Sequence, residues 1–274
     1  MKQPKVALLT PFGDRYNIPG SWVDTLIQLK WGEWPNLGIC RMYGHDVARN
    51  RNNLVEAALD LPDEWFLWLD SDQTIPDGLI WRLLSWDKPI VAALVFKKEP
   101  DSGFLPVFYQ DAKREADMFD SMLHPVLQYM MKHGGEEKHD KNGSILSPQD
   151  ALIKCDAVGF GCVLTHRSVF EKVPIPWFSD YEGYGEDIAF CVKARKHGFE
   201  VYGDMGAVAD HKFQVSVDHR VFINRYGEVW RAYERGEIPE TDVEKFVAMS
   251  MNQRTDKEKT KWTKVMQQHV GGKE

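Results

Sequence analysis

The feature that most constrains this chain is an alternation of short, unbroken apolar runs with segments of helical spacing. Lys5 to Thr10, Trp65 to Leu69 and Ile90 to Phe96 are such runs, the first closed by Pro11, Gly13 and Asp14. A strand reads this way when both of its faces are covered, as in a parallel sheet. Between the runs lies Ser21 to Lys30, with Trp22, Leu26 and Leu29 at helical spacing and Ser21 as N-cap. Asp46 to Leu61 follows, capped by Asp46, striped by Val47, Leu54, Ala57 and Ala58 and stopped by Pro62. Pro76 opens a third helix over Asp77 to Ser85, and Ile39 to Tyr43 adds a strand. This order predicts an α/β fold with a mainly parallel sheet flanked by helices.

The chain has 274 residues, which suits one large domain or two small ones. Apolar residues are 43% and charged residues 27%, a globular composition that excludes disorder for most of the length. No apolar run approaches the roughly 20 residues that cross a bilayer, and the N-terminus has no cleavage site of the secretory kind. A soluble, cytoplasmic protein without a transmembrane segment is expected. The net charge of −7 leaves no basic footprint for nucleic acid at the scale of the whole chain. Cys40, Cys155, Cys162 and Cys191 form no paired motif and read as reduced, buried residues.

Residues 99–150 lose apolar periodicity and carry Gly134-Gly135-Glu136-Glu137-Lys138, which reads as an inserted loop or lid. Strands resume at Ala151 to Asp156 and Val158 to Thr165. A helix is expected over Glu186 to His197, with Ile188, Cys191, Val192 and Arg195 on one face and Gly198 at its end. Glu200 to Tyr202 and Ala207 to Ala209 read as short strands. The expected organisation is one domain over 1–230 and a charged, helical extension over 231–274.

Five constellations bear on chemistry. Asp70-Ser71-Asp72 ends an apolar strand, where open α/β sheets bind ligands, and its two carboxylates suit a hard divalent ion such as Mg²⁺ or Mn²⁺. The same triplet also suits a plain turn. Glu186-Asp187 opens a helix, as a general base or as acids stabilising the helix dipole. Asp210-His211 follows a short strand, as a nitrogen ligand beside carboxylates or as a satisfied core histidine. Ala48-Arg49-Asn50-Arg51-Asn52 offers two arginines to a phosphate or a solvated face. Val158-Gly159-Phe160-Gly161-Cys162 places glycines in a strand, where a bulge or a close approach to a ligand calls for them.

Taken in order, these pieces resemble a GT-A glycosyltransferase, most closely family 2. Val6 to Pro11 is similar to the first nucleotide-binding strand, Ala48-Arg49-Asn50 to the family's helix start, and Leu69 to Asp72 to its Asp-x-Asp motif. The acceptor-side block is matched by Val158 to Asp187 and the closing block by Phe190 to His211. The resemblance covers roughly residues 5–212. It implies a metal-dependent transfer of a sugar from a nucleotide-sugar donor, UDP- or GDP-linked, to an acceptor hydroxyl, with inversion. It implies Asp70, Asp72 and His211 as metal ligands, with Asp70 near the metal or the ribose. Thr10, Pro11, Arg49, Gly159 and Gly161 would lie along the nucleotide. Asp187 would be the base, with Glu186 placing the acceptor. The acceptor stays open between a glycan, a protein, a lipid-linked intermediate and a modified nucleic acid. Small acidic transferases of this kind resemble those of bacteria and of phage-infected cells. Two alternatives remain at this point. One is the retaining, mannosylglycerate synthase-like branch of GT-A enzymes. The other is a nucleotidyltransferase acting on sugar phosphates, whose Gly-rich triphosphate loop has only Pro11-Phe12-Gly13-Asp14 as a counterpart.

Overall fold

The computed structural model of the chain describes residues 3–13, 18–44, 46–98, 104–111, 119–133, 138–139, 145–146, 149–179, 185–212, 216–217, 227 and 229–239. Seven strands build the main sheet. They are β1 (Val6–Phe12), β2 (Gly38–Tyr43), β3 (Trp65–Leu69), β5 (Ile90–Leu94), β10 (Leu152–Cys155), β12 (Cys162–His166) and β13 (Val201–Val208). The small strands are β4 (Gln73–Thr74), β6 (Phe108–Asp111), β7 (Phe119–Ser121), β8 (Lys138–His139), β9 (Ile145–Leu146), β11 (Ala157–Val158), β14 (Asp210–Lys212) and β15 (Ser216–Val217). The α-helices are α1 (Gly20–Gln28), α2 (Val47–Leu59), α3 (Leu79–Ser85), α4 (Leu123–His133), α5 (Arg167–Lys172) and α6 (Glu186–Lys196).

The sheet runs β10-β13-β5-β12-β3-β1-β2. β1 pairs in parallel with β2 and β3, and β13 with β5, whereas β12 runs antiparallel to both β3 and β5 and β10 antiparallel to β13. Five strands therefore share one direction. The expected α/β architecture with a mainly parallel sheet is the one found, and it is GT-A-like.

Continuous apolar runs make sense because successive side chains feed two cores. Ala7, Leu9, Phe66, Trp68, Ala92 and Leu94 join Leu54, Val55 and Ala58 of α2 on one face. Val6, Leu8, Leu67, Leu69, Val91 and Ala93 join Trp22 of α1 and Leu79, Ile80 and Leu83 of α3 on the other. Every residue of β1 and of β5 is buried. An alternating polar pattern would have left one face wet.

Helix boundaries follow local chemistry with some corrections. Asp46 caps α2 as expected, its carboxylate accepting from the Arg49 N–H at 2.9 Å. α1 begins one residue before Ser21, with Pro19 at the N-cap and no side-chain cap bond, and it runs on through a π turn, Leu29–Glu33. α3 starts at Leu79, later than Asp77, because Gly78 at φ 79° turns the chain into it. On α6 the buried face is Ala189, Phe190, Cys191 and Ala194. Ile188, Val192 and Arg195 are half-buried, so the apolar face expected there is rotated.

The stretch read as a lid belongs, where described, to the body of the fold. Leu123, Val126, Leu127 and Met130 of α4 and Phe108 of β6 are buried in the first core. Their helical spacing lies in an 11-residue helix inside a polar surrounding, which masked it. The Gly134 to Glu137 part of the charged stretch and residues 240–274 of the expected extension lie outside the described residues. Residues 229–234 are helical, with Val229 and Trp230 buried. All four cysteines are free; Cys40 is half-buried and the other three are buried.

Candidate functional site

The chain after β3 turns at once: the Asp70 N–H donates to the Gly161 carbonyl at 2.9 Å and the Gln73 N–H to the Asp70 carbonyl at 3.0 Å. That turn puts Asp70 and Asp72 at the C-terminal edge of the sheet. β14 then lies antiparallel to β4, with Asp210 opposite Thr74 and His211 opposite Gln73. The Lys212 N–H donates to the Asp72 carbonyl at 2.7 Å. This backbone ladder brings residues 139 positions apart together: His211 Nε2 lies 3.2 Å from Asp72 Oδ2. The other ring nitrogen, Nδ1, is 2.8 Å from the Phe96 carbonyl, which holds the ring with Nε2 toward Asp72.

Lys98 reaches the same oxygen, with Nζ 2.6 Å from Asp72 Oδ2. Burial alone would raise the Asp72 pKa, but the His211 and Lys98 bonds outweigh it and hold the carboxyl at about 2. Burial depresses His211 in turn, and the Asp72 carboxylate overcomes this and raises it. Asp72 is therefore a carboxylate at any physiological pH.

Asp70 is engaged elsewhere. Arg51 Nη2 donates to its two oxygens at 3.0 and 3.2 Å, and Arg51 Nε donates to Glu186 Oε1 at 3.1 Å. The Arg51 side chain is 3% exposed. Its guanidinium carbon sits 5.7 Å from the Trp68 ring, 5.6 Å from Phe160 and 5.9 Å from Phe178. Burial would discharge it, but Asp70, Glu186 and Asp187 together hold it cationic. Asp70 is pushed up to about 6 by burial, against the pull of Arg51. Asp187 is also raised, by burial first and by Glu186 second, and its Oδ1 accepts from the Ile188 N–H at 2.7 Å. A carboxylate with a raised pKa in the first turn of a helix is suited to taking up a proton.

The structure distributes the sequence candidates as follows. Asp72 and His211 meet. Asp70, Glu186 and Asp187 gather around Arg51, so Asp70 faces a guanidinium instead of joining the Asp72–His211 pair. Among the described residues no three His, Cys, Asp or Glu side chains converge as a metal cage. Thr10 and Pro11 are buried at the end of β1, and Thr10 Oγ1 has no hydrogen-bond partner among the described residues. Arg49 is exposed on α2. The close approaches at the two glycines are to protein: a Cβ on Gly159 would meet Val107 Cβ at 2.9 Å and one on Gly161 would meet Gln73 Nε2 at 3.2 Å.

The family resemblance points to Arg49, whereas the structure turns the next three residues of α2 inward. Asn50 Nδ2 donates to the Gly44 carbonyl at 2.8 Å, tying the end of β2. Asn52 both donates to the Phe178 carbonyl at 2.7 Å and accepts from the Phe178 N–H at 3.0 Å, tying α2 to Phe178. The helical period carried the signal, since Arg51 shares a face with Leu54, Val55 and Ala58 and Arg49 does not. Lys98 was missed as well. Its signal was position: Lys97-Lys98 directly follows an apolar run ending at the sheet edge.

The donor set can be tested against a divalent ion. A carboxylate oxygen and an imidazole nitrogen are both ligands of Mn²⁺-type ions, and adjacent ligands at ~2.1 Å from an octahedral ion lie about 3 Å apart. The 3.2 Å between Asp72 Oδ2 and His211 Nε2 fits that spacing, and the Phe96 carbonyl supplies the outer-sphere bond that orients a metal-ligating histidine. Two protein ligands fit; both oxygens of Asp70 are bonded to Arg51.

The Anp1 family model matches residues 41–173, just under half of the chain, a span that contains Arg51, Asp70, Asp72 and Lys98. A curated relative, the Mannan polymerase II complex anp1 subunit of Schizosaccharomyces pombe, is 23% identical over 208 residues. That match covers 71% of this chain and 47% of the relative, so the chain spans about half of the relative's length. Among solved structures, A197 from STIV aligns over 76% of this chain and 86% of its own, with a TM-score of 0.50 and 14% identity, a likeness of fold. GalNAc-T7 with UDP, GalNAc and Mn²⁺ aligns over 77% of this chain and 44% of its own, with a TM-score of 0.46 and 12% identity.

Proposed function

We propose that this chain is a glycosyltransferase that moves a sugar from a nucleotide-sugar donor to an acceptor hydroxyl with inversion, assisted by a divalent ion. The observation that carries the reading is the pairing, at one sheet edge, of the Asp72–His211 couple with the Arg51-centred cluster of Asp70, Glu186 and Asp187. The Anp1 family match and the name of the curated relative support the same reaction class and put a mannosyl donor at the head of the candidates.

Asp72 and His211 would hold the ion, which when bound neutralises charge on the departing diphosphate. Asp187 accepts the proton of the acceptor hydroxyl, and burial keeps its basicity high enough for that task. Glu186, anchored by Arg51, orients the acceptor beside it. Asp70, fixed by the other arm of the same guanidinium, faces the ribose. Thr10 and Pro11 close the nucleotide side from the end of β1. Among the described residues no helix is long and apolar enough to cross a membrane.

The test is a thermal-shift panel of UDP-, GDP-, dTDP- and CMP-sugars with Mn²⁺ or with EDTA. One nucleotide is expected to raise the melting temperature only with the ion, by the equivalent of about 2.7 kcal/mol at a hundredfold excess over its Kd. Asp72→Ala is expected to abolish the shift. Asp187→Asn is expected to keep it and to slow transfer by roughly 10²- to 10⁴-fold. No shift with any donor would remove the nucleotide-sugar reading, and a product of retained anomeric configuration would remove inversion.

A further inference from the structure

Gln73 follows Asp72 in the chain and stands across the ladder from His211. The residue is 1% exposed, and its Oε1 has no hydrogen-bond partner among the described residues. A buried acceptor left unpaired costs free energy, so it calls for a donor or a cation. An amide oxygen is a hard donor of the kind that suits Mg²⁺ and Mn²⁺.

The strand register fixes which face this amide shares. The Lys212 N–H donates to the Asp72 carbonyl at 2.7 Å, so the next pair along, His211 with Gln73, is one without backbone bonds between its members. In such a pair the two side chains lie on one face and stand closest, with Cβ atoms about 4.5–5.5 Å apart. Two contacts agree with this. His211 Nδ1 is 2.8 Å from the Phe96 carbonyl. The Gln73 amide packs beside Gly161, where an added Cβ would meet Gln73 Nε2 at 3.2 Å and Val95 Cγ1 at 3.6 Å. Both side chains therefore lie against Val95 and Phe96, just past β5. Asp72 is joined to one member of the pair by a peptide bond, and its Oδ2 is 3.2 Å from Nε2 of the other. The amide turns about a broad, roughly two-fold terminal torsion, so Oε1 can swing toward that couple without backbone movement.

We propose that Gln73 Oε1 is a third protein ligand of the divalent ion, beside Asp72 Oδ2 and His211 Nε2. This inference rests on the ion site of the glycosyltransferase reading and adds a ligand to it. A neutral oxygen enlarges the donor set without placing a second negative charge next to Asp72. The three donors come from two consecutive residues and one cross-strand partner, so the ladder itself sets their spacing. In an octahedral shell they leave positions for phosphate oxygens of the nucleotide and for water.

The experiment measures Mn²⁺ affinity by electron paramagnetic resonance on the full chain, alone and with GDP or UDP, for wild type, Gln73→Met, Gln73→Glu and Asp72→Asn. Methionine is close to glutamine in shape and brings no oxygen. Without the ion, Gln73→Met is expected to melt at or above the wild-type temperature, because an unpaired buried oxygen is gone. It is expected to bind Mn²⁺ roughly 10- to 100-fold more weakly, at least the loss that follows removal of an outer-sphere partner. Gln73→Glu keeps an oxygen in the same place and is expected to bind at least as tightly as wild type. A direct signature comes from ¹³C electron–nuclear double resonance on protein made with glutamine labelled at Cδ. A coupling to bound Mn²⁺ is expected in wild type and is expected to vanish in Gln73→Met; if that variant fails to fold, the wild-type coupling decides. If Asp72→Asn abolishes Mn²⁺ binding while Gln73→Met binds as wild type does, or while the wild-type coupling is absent, Gln73 is not a ligand and the Asp72–His211 ion site stands. If no form binds Mn²⁺ with or without either nucleotide, both are overturned.

Discussion

Arg51 holds two acidic motifs that the chain places 116 residues apart, Asp70 and Glu186, with one buried guanidinium. Its Nη1 has no hydrogen-bond partner among the described residues, and three aromatic rings enclose the group. A guanidinium does this where an ammonium would not, because its planar fork bonds two carboxylates from fixed directions and packs against rings. Removing it leaves two carboxylates facing one another with no cation between them. Arg51→Met is expected to destabilise the fold by about 3–5 kcal/mol, the cost of breaking a buried pair from one side. Arg51→Lys should recover part of that stability, since it keeps the charge and loses the fork. Urea denaturation of the three proteins checks the order. A loss under 1 kcal/mol for the Met variant would mean that the acids find other partners.

At the scale of elements, the site is assembled by strand ends and by close contacts between backbone and side chain. β13 pairs with β5 from Tyr202 to Asp204, then shifts register before Val208. The extra residues swing the chain so that β14 meets β4 and His211 arrives beside Asp72. Gly203 precedes this step and Gly206 lies within it. A Cβ on Gly203 would sit 2.6 Å from the Phe108 ring, so only glycine lets β6 of the former insertion pack on β13. Gly203→Ala is expected to cost about 1–3 kcal/mol through overpacking, read as a lowered urea midpoint with an unchanged slope. Pairing Gly203→Ala with Phe108→Leu should recover part of the loss, because the smaller side chain makes room; failure to recover it would place the strain elsewhere. The strands of the main sheet, with β13 read as two pieces, and the helices α1, α2, α3 and α6 were legible in sequence, most plainly where burial on both faces leaves a continuous apolar run; α4, α5 and small strands such as β4 and β6 were not. The faces of α2 and α6 were less so. Several of their inward residues are polar or small, and polarity alone does not say whether Arg49 or Arg51 faces the sheet.

For the whole molecule, the two cores and the segment between them are locked by one buried ion pair. Arg82 of α3 donates to both oxygens of Asp204 at 2.6 and 2.8 Å, Trp86 Nε1 donates to Asp204 at 2.7 Å, and the Gly206 N–H donates to it at 2.9 Å. Asp204 is fully buried. The Tyr129 hydroxyl of α4 also bonds Arg82. α3, its C-cap residue Trp86 and β13 thus meet at one carboxylate, with α4 joined through Arg82, just before the register shift that leads to His211. Asp204→Asn should cost about 3–5 kcal/mol in stability, because it leaves the Arg82 charge buried without its counter-ion. Nucleotide-dependent Mn²⁺ binding should weaken more than in a variant matched for stability elsewhere in the fold, since the bulge also sets the His211 position. Equal weakening in the two would limit Asp204 to a structural role.

The sequence alone determined the layered α/β fold, because the strand and helix periods are local and the central strands β1 and β5 are buried on both faces. It also determined which acids and which histidine stand at strand and helix ends, and through them the resemblance to GT-A enzymes. The partners were decided only in three dimensions. Asp72 meets His211 because a register shift and a two-residue ladder place them together, and no local pattern encodes that pairing. Asp70 joins Arg51 and Glu186 because a helix face, a strand end and a helix start converge on one buried charge. Lys98 came to the site for the same reason: folding leaves it 2.6 Å from the Asp72 carboxylate.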